Sequence, residues 1–219
     1  IAMPSASRDQ MQAVLANCRA AGIDSKTVPG IGELLRGAVL ATQIREVSIT
    51  DLLGREPVQI DEHRVRGAVT GRKILVTGAT GSIGSELCRQ LLSFEPARLI
   101  AFDQAESELF RIEMELRAAF PNVPLSVVVG DIRDAASIED VILTYDVEAI
   151  FHAAAYKHVP LMEKFPLEAV RNNVLGTWKL GQAAYRNRVG TFVMISSDKA
   201  VNPSSIMGAT KRLAELILS

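Results

Sequence analysis

The chain has 219 residues, enough for one large domain or for one domain and part of another, and enough to bury roughly 70% of its unfolded surface. Hydrophobic residues make up 48% and charged residues 22%, and a net charge of −1 gives no electrostatic case for nucleic acid or an anionic membrane, which leaves a small molecule as the expected partner. Cys18 and Cys88 stand far apart in no metal or redox spacing, so neither a metal site nor a disulfide framework is expected. No run approaches the roughly 18 apolar residues that cross a bilayer, and no basic stretch leading into an apolar one opens the chain.

The chain begins at Ile1 and stops at Ser219 within a helical pattern, and it reads as a fragment of a longer protein. Pro4 to Ser7 precede a helix whose apolar positions Met11, Val14, Leu15 and Cys18 recur at helical spacing, ending near Gly22. Ser25 to Pro29 reads as a short strand, and Ile44 to Pro57 as a connector with one helical turn. These pieces are too few for a domain. Residues 1–45 are therefore expected to be the tail of a preceding α/β domain, and 46–71 a linker.

From Gly71 the pattern becomes regular. Strands are predicted at Lys73–Thr77, Arg98–Phe102, Leu125–Val129, Ala149–Phe151 and Thr191–Ile195. Helices are predicted at Ser82–Ser93, Ala105–Ala119, Ala135–Leu143, about Leu161–Asn187, and from about Ile206. Strands alternating with helices predict an α/β fold over 72–219, a doubly wound parallel sheet of the Rossmann type in strand order 3-2-1-4-5. It is expected to be truncated at its C-terminus.

Between the first strand and its helix lies Gly78-Ala79-Thr80-Gly81-Ser82-Ile83-Gly84. In that context Gly78 permits the sharp turn, Gly81 the approach of a pyrophosphate, and Gly84 close packing of helix on strand. The helix start, with Thr80, Ser82 and Ile83 around it, offers free N–H groups to phosphates. Asp103, at the end of the second strand, suits ribose hydroxyls and repels a 2′-phosphate, so NAD is the expected cofactor. After the third strand, Asp131 and Ile132 face the adenine edge, with a helix-capping role as the alternative for Asp131. Ala153, Ala154 and Ala155 follow the fourth strand and let backbone lie close to the cofactor. His152 reads as a structural histidine and Trp178 as core.

The run Met194 to Arg212 places Ser197, Asp198, Lys199, Met207 and Lys211 at the carboxyl end of a strand, where open α/β sheets bind ligands, with a solvated loop carrying an Asp–Lys pair as the alternative for Ser197 to Lys199. Tyr156, Lys157 and Asn173 fall beside it as candidate substrate residues.

Together the strings TGATGSIG, GDIRD, HAAAYKHVPLMEKFPLEAVRNNVLGT and SSDKAVNPSSIMGATKR resemble the extended short-chain dehydrogenase/reductase superfamily, and within it the polysaccharide-biosynthesis nucleotide-sugar 4,6-dehydratases acting on UDP-N-acetylglucosamine. The resemblance covers about residues 46–219, and Ile1 to Leu35 is similar to the end of those proteins' upstream domain. It implies a lyase that uses NAD: hydride leaves sugar C4, water is lost across C5 and C6, and hydride returns to C6. It implies Lys199 as the C5 base, Asp198 as the acid at C6 and Ser197 at the C4 oxygen, which requires a lowered Lys199 pKa and a raised Asp198 pKa. The superfamily's YxxxK reads Met207-Gly208-Ala209-Thr210-Lys211 here, so the phenol is missing while Lys211 remains to hold the nicotinamide ribose. Long, membrane-anchored members of the branch also carry Met there. The C4 base stays open among Lys211, Lys199 and a bound water. A cofactor-binding module without turnover and a nucleotide-sugar epimerase are the alternatives. A UDP-sugar substrate, a homo-oligomeric parent and a cytoplasmic location, with any parent anchor in the inner membrane, complete the expectations.

Overall fold

The parallel sheet expected from the strand–helix alternation is present. The computed structural model describes residues 1, 3, 8–27, 45–46 and 61–219, and the chain divides into two units, residues 1–60 and 61–219. In the first unit, helix α1 (Arg8–Ala20) buries Leu15 from its apolar stripe. Strands β1 (Lys26–Thr27) and β2 (Arg45–Glu46) pair antiparallel, Lys26 opposite Glu46. The first is the core of the strand expected at Ser25 to Pro29; the second falls in the stretch read as connector, whose helical turn lies outside the described residues.

The second unit starts before its expected boundary. Helix α2 (Glu62–Val69) occupies part of the stretch read as linker, capped by the Asp61 carboxylate, which accepts from Arg64 N at 3.2 Å. Half of its residues are polar, two of them arginines, and only packing reveals it as structure: Val69 is buried in the same cluster as Ile74 and Leu92.

Strands β3 (Lys73–Thr77), β4 (Arg98–Asp103), β5 (Leu125–Val129), β6 (Ala149–His152) and β7 (Thr191–Met194) form one parallel sheet in the order β5-β4-β3-β6-β7. Counted within this unit, that is the predicted 3-2-1-4-5. Side chains alternate between the two faces of a strand. Ile74 and Val76 therefore meet α3 (Ser82–Ser93) and α4 (Glu106–Ala119) through Cys88, Leu92 and Leu109 on one face. Leu75 meets α5 (Ala135–Tyr145) and α8 (Thr177–Arg186) through Ile142 and Leu180 on the other.

The single helix expected from Leu161 to Asn187 is broken. It consists of α6 (Val159–Lys164), α7 (Pro166–Ala169), a π-helical turn (Val170–Gly176) and α8. Pro166 disfavours helical backbone at the residue before it, and Phe165 sits at φ −126°, ψ 60°. Trp178, expected in the core, is 46% exposed. Thr177, Leu180 and Ala184 take the inward face of α8, and at 3.6 residues per turn that leaves position 178 outside. Helix α9 (Ile206–Leu218) follows β7, with the Ser205 hydroxyl accepting from Gly208 N at 3.1 Å.

Among the described residues no helix is long and apolar enough to cross a membrane, and no cluster of three or more His, Cys, Asp or Glu is placed to hold a metal.

Candidate cofactor and substrate clefts

The chain reverses direction after β3 through Gly78, at φ +69°. A Cβ on Gly78 would lie 2.5 Å from Ala154 N, and one on Gly84 would overlap the Gly78 carbonyl oxygen. The turn and α3 are thus pressed together by backbone that no side chain could enter. Gly81 N donates back to Gly78 O at 3.1 Å, and Ser85 N opens the helix on Gly81 O at 2.8 Å. The N–H groups of Ser82, Ile83 and Gly84 have no acceptor among the described residues, and Gly81 supplies no side-chain cap. Three free N–H groups at the positive end of a helix make an anion site.

A cavity of about 160 Å³ runs from this turn past Asp103 to Asp131, walled by Ala153, Ala154 and Ala155. Asp103 accepts from Thr80 Oγ1 at 2.7 Å and Thr80 N at 3.0 Å on Oδ2, and from Ala105 N at 3.1 Å on Oδ1. Ile132 is buried beneath the cavity, its side chain 2.8 Å from where a Cβ on Gly176 would be. Asp131 is not the helix cap: Asp134 caps α5, accepting from Ala136 N at 3.0 Å. The Arg133 guanidinium grips both oxygens of Asp131, Nη2 to Oδ2 at 2.6 Å and Nε to Oδ1 at 3.0 Å, and holds that carboxyl below its usual range. Arg133 also reaches Glu168 Oε2 at 3.1 Å.

A second cavity, of about 430 Å³, shares Ala153, Ala155 and Tyr156 with the first and brings together Ser197, Asp198, Lys199, Met207 and Lys211. The Ser197 hydroxyl donates to Asp198 Oδ1 at 3.0 Å, and Lys199 Nζ lies 3.3 Å from the same oxygen. Those bonds hold the Asp198 carboxyl below its ordinary value, the Ser197 hydroxyl first and Lys199 second. The raised Asp198 pKa is therefore not found. Its side chain is 87% exposed and that of Lys199 54%, so desolvation is too weak to outweigh the hydrogen bonds.

Lys211 is buried, with Nζ donating to Ile195 O at 2.6 Å, and burial pushes its pKa down. Met207 is buried as well, packed with Met162 and Ala169, and lines the cleft.

The substrate candidates divide. Tyr156 and Lys157 line the second cleft, and Lys157 Nζ reaches Ser82 Oγ at 3.3 Å, placing its charge beside the start of α3. Asn173 does not reach the cleft. It is buried in the π-helical turn, where its amide clamps the Tyr156 backbone, accepting from N at 2.8 Å and donating to O at 2.9 Å, and reaches Thr210 Oγ1 at 3.1 Å. Its hydrogen bonds are those of a residue that orders the site, the role the family resemblance implies for it.

His152 is structural, as read. It is enclosed between Thr77 Oγ1 at 2.7 Å and Thr177 Oγ1 at 2.8 Å, and burial, with Lys211 nearby, lowers its pKa to about 3. Sequence reading missed Arg133, Thr177 and Thr210. Arg133 stands two residues past Asp131 in GDIRD and was findable by that spacing; the two threonines carry no local signal.

A family model described as polysaccharide biosynthesis protein matches residues 74–219. The chain belongs to the polysaccharide biosynthesis protein family. Within it, EpsC of Bacillus subtilis, named as a probable polysaccharide biosynthesis protein, is 42% identical over all 219 residues, and the chain spans 37% of that relative's length. Two solved structures are similar in fold to this family member. One is DesIV of Streptomyces venezuelae, a dTDP-glucose 4,6-dehydratase crystallised with NAD, at TM-score 0.58 and 30% identity over 66% of this chain and 50% of that one. The other is a UDP-glucose 4-epimerase from Stenotrophomonas maltophila with bound NAD, at TM-score 0.59 and 26% identity over 67% of this chain and 47% of that one. The family expected from TGATGSIG and SSDKAVNPSS is thus the family found, with dehydratases and epimerases among its structural neighbours.

Proposed function

We propose that the chain binds NAD along the carboxyl edge of its sheet and carries the proton-handling residues of a nucleotide-sugar 4,6-dehydratase, acting on UDP-N-acetylglucosamine in polysaccharide assembly. The observation that carries this reading is the adjacency of the two clefts, joined at Ala153, Ala155 and Tyr156. The residues present fit the dinucleotide: free N–H groups at Ser82 to Gly84 for the pyrophosphate, Asp103 for the adenosine ribose, and Lys211 beside the nicotinamide end. Bound there, NAD supplies the acceptor and donor of hydride.

The chain's own share is proton transfer. Lys199 takes the proton from sugar C5 once C4 is a ketone. Asp198, protonated, gives its proton to the departing C6 hydroxyl, so that one water leaves. Ser197 hydrogen-bonds the C4 oxygen. Asp198 can be protonated at neutral pH only when it is covered, and a nucleotide sugar lying over the second cleft would strip water from it.

The exposure of Asp198 and Lys199 favours a second reading for these 219 residues by themselves: cofactor binding without turnover. Calorimetric titration of NAD, followed by incubation with NAD and UDP-N-acetylglucosamine and mass spectrometry, separates the cases. A product lighter by one water supports the dehydratase. An isomer of unchanged mass moves the reading to epimerisation, NAD binding without product supports the second reading, and no binding of NAD removes both.

A further inference from the structure

We infer that Thr80 determines cofactor specificity, by fixing the Asp103 carboxylate as a ribose acceptor and so making the site accept NAD and refuse its 2′-phosphorylated form. The inference rests on the NAD-binding reading above and adds a residue and a role to it. Thr80 lies in the glycine turn and Asp103 at the end of β4, 23 residues apart, yet Thr80 gives that carboxylate two hydrogen bonds, from Oγ1 at 2.7 Å and from N at 3.0 Å. Ala79 N adds a third link between turn and strand, to Phe102 O at 3.3 Å.

This stitching divides the labour of the loop. The N–H of Thr80 is spent on Asp103 and that of Gly81 on Gly78 O, which leaves the phosphates to Ser82, Ile83 and Gly84. A carboxylate offers about four acceptor positions. Thr80 fills two on Oδ2 and Ala105 N one on Oδ1, so the vacant position is on Oδ1 and its direction is fixed. A ribose 2′-hydroxyl has a proton to give to that position. A 2′-phosphate there has none and brings like charge against the carboxylate.

Thr80→Val keeps the shape of the side chain and removes the hydroxyl, so that two backbone N–H groups alone hold Asp103, one on each oxygen, and Oδ2 gains a vacant position, while Thr80→Ser keeps the hydroxyl. Calorimetry with NAD, NADP, ADP and 2′-deoxy-ADP reads the effect, with thermal melts as the check on folding and Thr80→Ala as a second hydroxyl-free variant should T80V not fold. We expect T80V to weaken NAD about tenfold, the loss of one hydrogen bond to a charged group. The preference for NAD over NADP and for ADP over 2′-deoxy-ADP should shrink by a similar factor, and T80S should restore both. Equal weakening of ADP and 2′-deoxy-ADP would make Thr80 merely structural and overturn the inference, as would an unchanged NAD preference in T80V or a T80S that behaves like T80V. In each of those cases NAD binding by the unaltered chain stands; failure of that chain to bind NAD overturns the function reading and this inference with it.

Discussion

Asn173 and Asp198 carry opposite lessons about single residues. Asn173 sits in a string that invites a substrate role, yet its amide is spent on both backbone groups of Tyr156. Replacing it with Ala strands that N–H and C=O, at a cost of about 1–3 kcal/mol for each group left without a partner. The urea midpoint of N173A should fall accordingly, while an unchanged midpoint would mean that water replaces the amide. Asp198 is where the sequence suggested it, at a strand's carboxyl end, but its ionisation follows from its neighbours and exposure, which no string of letters contains. The placement of the cluster was legible because strand ends are set by local pattern; its protonation was not, because solvent access is set by whatever covers it.

At the scale of elements, two glycines in helices behave in contrasting ways. Gly84 in α3 faces the Gly78 carbonyl, which is backbone and cannot give way, so Gly84→Ala must lift the helix from the sheet. A loss of about 1–3 kcal/mol, typical of overpacking, is expected, together with loss of NAD affinity. Gly67 in α2 has nothing within 4 Å of the Cβ it lacks, and Gly67→Ala should raise the melting temperature through a gain of about 0.5–1 kcal/mol in helix propensity. A calorimetric scan of both variants checks the pair, and opposite signs are the expected result. The glycine spacing in the turn was readable from the sequence because it has one strand and one helix as its context. Helix α2 was not, because its residues become helical against Phe94 and Leu92, which lie far along the chain.

Across the whole molecule, His152 on β6 links β3 to α8, and its burial couples folding to pH. Its pKa is near 3 in the folded protein against 6.5 for a free side chain. Between those values the unfolded chain binds a proton that the folded chain refuses, so stability is full above pH 6.5 and declines as pH falls toward 3. The slope from this one group approaches about 1.4 kcal/mol per pH unit. Denaturant midpoints measured from pH 6.5 down to 5 should fall in the unaltered protein. They should be flatter in His152→Gln, which starts lower because it cannot satisfy both threonines as the imidazole does. Equal slopes in the two proteins would place the titration elsewhere.

The sequence by itself determined the parallel sheet, its strand order and the placement of Gly78, Asp103, Asp131 and Ala153 along its carboxyl edge. Each of these follows from apolar period, from turn residues and from right-handed crossovers, all of which act over a few tens of residues. Only the tertiary structure decided that Trp178 faces outward, that Asn173 serves the backbone, that Asp198 is an exposed anion and that Thr80 is bound to Asp103. These depend on which segments meet and which surfaces lose water, and contacts between residues 17 or 23 positions apart leave no periodic trace in the chain.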